Sequence, residues 1–199
     1  MPGRNPHEAV VSFLDPLRDA LAVLDSHSQI VVHKRGGYRK EVPYAWLLND
    51  EEGMRLRGVG RLRATMQFMI ISCDPVTNEH GHRFRVTTLG YNYKISDTDD
   101  LDQLRFHWHP RGAGANQHPH VHALPNLDTH VYMPRVTLET VIRACLQMDA
   151  PLTMDVDEAV RHLAVTEAPH MLYRTWSDWP PGRAEPYGTS TESPHVHNP

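Results

Sequence analysis

Leu104-Arg105-Phe106-His107-Trp108-His109 alternates apolar and cationic side chains without a break. A strand sends successive side chains to opposite faces. Leu104, Phe106 and Trp108 therefore predict a core-facing side, and Arg105, His107 and His109 an open one. The preceding segment has the same period: Leu89, Tyr91, Tyr93 and Ile95 alternate with Gly90, Asn92 and Lys94. Pairing the two as an antiparallel hairpin across the acidic turn Asp97 to Asp102 sets the tyrosines against the aromatic face. Asn92 and Lys94 then join the histidines.

Working outward, Met66, Phe68 and Ile70 alternate with Gln67, Met69 and Ile71 from about Arg61 onward. Both sides are apolar enough for a central strand. A turn from Asp74 to Gly81 connects it to the hairpin. Ser28 to His33 reads as a short strand ended by Gly36-Gly37, whereas 38–52 gives no clear period. His118-Pro119-His120-Val121-His122 is expected as an edge strand, because proline cannot donate within a central ladder.

Helices flank this strand-rich centre. Asn5 can cap a helix, Pro6 suits its first turn and Glu8 can reach back to the Asn5 backbone. Val10, Phe13, Leu14, Leu17, Leu21 and Leu24 carry its spacing, with a kink or break expected at Pro16. Thr137 caps a second helix with an inner stripe of Leu138, Val141, Ile142 and Cys145. Asp155 to Glu158 opens a third, ahead of Val156, Val160 and Leu163. The expectation is one α+β domain over 1–178, a mainly antiparallel sheet with helices packed on one face and histidines on the other. Residues 179–199, rich in Pro, Gly, Ser and Thr, read as a flexible tail; within it Pro194-His195-Val196-His197 repeats Pro119-His120-Val121-His122.

Charge and cysteine content narrow the function. A net charge of -4 argues against a non-specific nucleic-acid coat protein, and the run Arg55, Arg57, Arg61 and Arg63 reads as a solvated face. Cys73 and Cys145 lie far apart with no Cys-x-x-Cys pair, so a reducing cytosol is expected. No leader and no membrane-length apolar run is evident.

The chemistry points to His107, His109, His118, His120, His122 and His130, six imidazoles between 104 and 130. Imidazole titrates near neutrality and is the commonest metal ligand. In the leading reading His107 and His109, with His120 or His122, act as acid and base in cleaving an RNA phosphodiester. Lys94, Arg105 and Asn92 hold the phosphate and no cofactor is needed. In the alternative, His107, His109, His120 and His122 ligate zinc or another divalent transition metal for hydrolysis, although no general-base carboxylate is evident. A non-catalytic metal- or partner-binding module is the third reading.

Tyr91-Asn92-Tyr93-Lys94, Arg105-Phe106-His107-Trp108-His109-Pro110, Pro119-His120-Val121-His122 and the helix from Leu138 to Leu146 occur in an order that resembles the TumE family of toxin–antitoxin toxins. The resemblance covers about 89–148. The family's Arg-Tyr-Asp-Asn-Ala-Pro-His-His run is replaced here by Arg-Phe-His-Trp-His-Pro, and the chain carries longer terminal additions. The resemblance implies a small cytoplasmic α+β toxin acting on RNA and neutralised by an antitoxin protein.

Overall fold

The computed structural model describes residues 2–73, 81–110 and 118–172. All but Gly81 of the expected Asp74–Gly81 turn, residues 111–117 and the tail with its repeated Pro-His-Val-His lie outside them. The described chain forms β1 (Pro2–Gly3), α1 (Pro6–Ala22), β2 (Ile30–His33), β3 (Pro43–Leu48), β4 (Met54–Leu56), β5 (Gly60–Ser72), β6 (Phe84–Ser96), β7 (Asp102–Trp108), β8 (His120–Ala123), β9 (Asn126–Tyr132), α2 (Leu138–Gln147) and α3 (Val156–Leu172).

All nine strands join one sheet in the order β2-β3-β5-β6-β7-β8-β9, with β1 on β6 and β4 on β5. Every pairing is antiparallel. The fold is α+β with sheet predominating, as the alternation predicts. The hairpin register is the expected one: Tyr91 pairs with Trp108, Tyr93 with Phe106 and Ile95 with Leu104. Across β5, Leu62, Ala64 and Met66 continue those rows. These side chains enter one buried cluster with Phe13, Leu17 and Leu21 of α1 and Val141, Ile142 and Cys145 of α2. The helices cover this face, α1 against β5 and β6 and α2 against β6, while α3 packs on α1 and α2. The opposite face carries Thr65, Asn92, Lys94, Arg105, His107, His120 and His122.

Four expectations need correction. α1 is one helix through Pro16, without the break allowed for there. A proline inside a helix costs about 3 kcal/mol, and burying Phe13, Leu14, Leu17, Ala20 and Leu21 on the same helix offsets that. Glu8 reaches back to the Arg4 backbone N–H at 3.0 Å and not to that of Asn5, whose side chain caps the Glu8 N–H at 2.9 Å. β8 is interior, because Pro119 falls just before the strand and leaves the ladder donors intact. β9, unforeseen, takes the edge. In α3 the buried stripe is Ala159, Leu163, Thr166 and His170, whereas Val156 and Val160 face solvent. The unclear stretch at 38–52 supplies β3, and β4 follows just after it. No helix among the described residues is long and apolar enough to cross a membrane.

Candidate metal centre

The cluster is assembled by register. His107 pairs directly with His120 across β7 and β8, and Arg105 with His122. His109 follows the last residue of β7, beside Gly90. A methyl group on Gly90 would lie 2.7 Å from the Trp108 carbonyl, so the bare glycine lets this end of β7 approach β6. His130 comes from β9 by an irregularity. His120 pairs with Tyr132 and Val121 with Val131, yet Ala123 pairs with Asn126. Five steps on β9 thus run against two on β8, and this slack swings His130 toward His120 and His122.

Ring centroids of neighbouring members among these five histidines lie 4.5 to 5.9 Å apart. His120 and His122 are buried, His107 is half-buried, and His109 and His130 are exposed. Ligand nitrogens lie within 4.8 Å of one another in two groups, His107–His109–His120 and His120–His122–His130. Zinc bonded at about 2.05 Å in tetrahedral geometry holds its nitrogens about 3.4 Å apart. Small ring movements would close either group. The sixth imidazole, His118, packs edge-on against Tyr132 and belongs to neither.

The hydrogen bonds fix which nitrogens are available. Nδ1 of His120 lies 2.8 Å from the His118 carbonyl, and Nδ1 of His122 bonds the Leu127 carbonyl. A carbonyl only accepts, so each Nδ1 carries the proton and each Nε2 is left with its lone pair. That second bond, ring N–H to backbone carbonyl, is the usual outer support of a metal-ligating histidine. His107 Nε2 is buried without a hydrogen-bond partner among the described residues. The pKa of His107 is pushed down to about 3, chiefly by burial, then by His122, Arg105, His120 and His109. Burial likewise lowers that of His120, with His130, His122 and His109 adding to it against the His118 carbonyl. Both rings are therefore biased toward the neutral form that a metal ligand needs.

No protein-family model matches the chain, and neither does any curated protein or solved structure.

Lys94 and Arg105 flank the imidazoles, as the alternation predicts, but both engage one carboxylate. Lys94 Nζ lies 2.5 Å from Asp102 Oδ1, and Arg105 bonds Asp102 Oδ2. The Asp102 side chain is only 8% exposed, so the three charges form a half-sunk triad of net +1. Asn92, also assigned to substrate, is exposed on the same face. Tyr91, Tyr93 and Trp108 are core, with the two tyrosines stacked at 4.8 Å.

Sequence reasoning omitted two elements of this site from its residue roles. His130 stood in the right segment, and the Pro125-Asn126 turn signal after β8 could have marked the strand that delivers it. Asp102 was read as part of a turn; no local pattern revealed that it would cross to Lys94.

Proposed function

We propose that this chain is a metal-dependent hydrolase whose ion is held by three imidazoles of the cluster. The reading rests on one observation: the Nδ1–H groups of His120 and His122 are spent on backbone carbonyls, and their Nε2 atoms belong to groups of three nitrogens within 4.8 Å. Zinc is the ion most compatible with an all-imidazole set. Copper, nickel and iron accept the same donors.

The donor set also determines what the ion would do. Three neutral imidazoles leave a divalent ion its full +2 charge and one coordination position for water. A zinc-bound water with such ligands has a pKa of about 7. Hydroxide would then be available at neutral pH, which removes the need for a general-base carboxylate, for which the sequence offers no evident candidate. The Lys94–Asp102–Arg105 triad adds one net positive charge alongside. An anionic ester is thus the favoured substrate class, and the RNA phosphodiester is a member of it.

The metal-free ribonuclease, with its antitoxin partner, is the second reading. What favours it is the shared open face of Asn92, Lys94, Arg105 and the imidazoles. Two features weigh against it. A ring with pKa about 3 is a poor proton acceptor at neutrality, and both cations already have a carboxylate.

Metal analysis after dialysis against micromolar zinc, combined with an RNA-cleavage assay, tests the proposal. The expected result is about one ion per chain and cleavage abolished by a chelator and restored by zinc. Absence of bound metal, with cleavage unaffected by the chelator, overturns it in favour of the second reading.

A further inference from the structure

We propose that the five imidazoles hold a single divalent ion that alternates between two positions, the His107–His109–His120 triad and the His120–His122–His130 triad. The inference rests on the metal reading above and adds how many ions bind and how one moves.

His120 belongs to both triads. Its Nδ1 is committed to the His118 carbonyl, so it has one nitrogen to give, and a lone pair binds one ion at a time. Filling either triad therefore leaves the other with two ligands. A second ion would also face the repulsion of the first at close range. Two-metal centres act as a clamp on the attacking and leaving oxygens of a substrate, and among the described residues neither triad includes a carboxylate to bridge a pair of ions and offset their repulsion.

The two positions differ in a way that gives the ion a route. His120 is 1% exposed and sits in the middle. His109 ends one triad and His130 the other, and both are exposed. His107 and His122, with ring centroids 5.3 Å apart, complete the two sides. An ion could enter at His130, keep its bond to His120, and trade His122 and His130 for His107 and His109. Ligand exchange would proceed stepwise, without the ion ever losing all its protein ligands. The cluster is then a site of uptake and hand-over as well as of retention.

Cobalt(II) titration of the whole chain, followed by visible absorption and metal analysis, tests this. The wild type is expected to saturate at one ion. His109→Ala and His130→Ala should each still bind one ion, with spectra that differ from each other and whose weighted sum reproduces the wild type. His120→Ala, which breaks both triads, should weaken binding by more than the about 100-fold that losing an outer-shell partner can cost. Circular dichroism of each variant separates loss of ligand from loss of fold. Two ions per wild-type chain overturn the proposal. So does a result in which one of the exposed variants abolishes binding while the other behaves as wild type, because that describes one fixed site. A wild type that takes up no cobalt or zinc refutes the metal reading itself, and this inference with it.

Discussion

Nδ1 of His120 lies 2.8 Å from the carbonyl oxygen of His118, two residues earlier in the chain. This contact fixes the tautomer of the central imidazole and aims its other nitrogen at four neighbouring rings. The bond is to the backbone, so the identity of the residue at 118 should not matter for it. Zinc at about 100 times its Kd should stabilise the wild type by about 2.7 kcal/mol. His118→Ala should keep that gain and His120→Ala should lose it, as melting curves with and without zinc will show.

Gly90 should tolerate no side chain. A Cβ there meets the Trp108 carbonyl at 2.7 Å, and backbone cannot swing aside as a flexible side chain can. Gly90→Ala should lower stability by about 1–3 kcal/mol and push the end of β7 outward. Urea denaturation measures the first effect. Weaker zinc binding measures the second, since His109 directly follows Trp108.

The Asp102 carboxyl is held below its ordinary pKa. Burial raises it, but the hydrogen bonds and charges of Lys94 and Arg105 together outweigh that. A lowered carboxyl pKa means stability that is present above about pH 3.8, the unfolded value, and lost as pH falls below it. Asp102→Asn should cost about 2 kcal/mol at neutral pH, between the values for exposed and buried pairs. It should also flatten the acid limb of the stability curve. Equal acid sensitivity in the two proteins would remove Asp102 from the account.

Glu139, on the first turn of α2, is fully buried, with its own backbone N–H and the Thr166 hydroxyl the polar groups that reach its carboxyl. Its pKa is pushed up to about 7, first by burial and then by Glu167, while its own backbone, Arg143 and Thr166 oppose the rise. The sign is opposite to that of Asp102. Unfolding lets Glu139 ionise, so the stability tied to its protonated form is complete below about pH 4.5 and lost as pH rises to 7. That loss amounts to about 3 kcal/mol. Glu139→Gln should therefore gain on the wild type between pH 4.5 and 7 and track it in parallel above. Melting temperatures at half-unit pH intervals decide it; a constant difference would contradict the assignment.

His170 on α3 gives an acid-side counterpart. It is 3% exposed, stands edge-on to Phe13, and its pKa is pushed down to about 3, mainly by burial. The unfolded chain takes up this proton first as pH falls below about 6.5. Stability should then decline by about 1.4 kcal/mol per pH unit until about pH 3. His170→Phe should remove that slope if the larger ring is accommodated, and His170→Leu, closer in volume, provides the control.

The alternation of Tyr91, Tyr93, Phe106 and Trp108 was sufficient to define the hairpin, its register and the face that carries the histidines. A period of two is a local property, and one wrong step would have exposed four aromatic rings. Other features depended on partners outside the segment itself. Pro119 reads as a reason for an edge position, but only the arrival of Asn126–Tyr132 decides whether another strand lies beyond it. Val160 reads as core on spacing alone, as Leu163 does, while the way α3 meets α1 keeps Leu163 and selects Ala159, Thr166 and His170 in place of Val160.

The chain's own residue order thus determined that imidazoles from two strands would share one side of a sheet, because side-chain direction follows from strand geometry. Tertiary structure alone decided which ring nitrogens remain available, that Lys94 and Arg105 share Asp102, and that His130 joins the group. Those outcomes depend on angstrom-scale distances fixed only when the strands pair and turn, even between residues close in sequence. Hydrogen bonds and ion pairs are that short-ranged, and no periodicity along the chain encodes them.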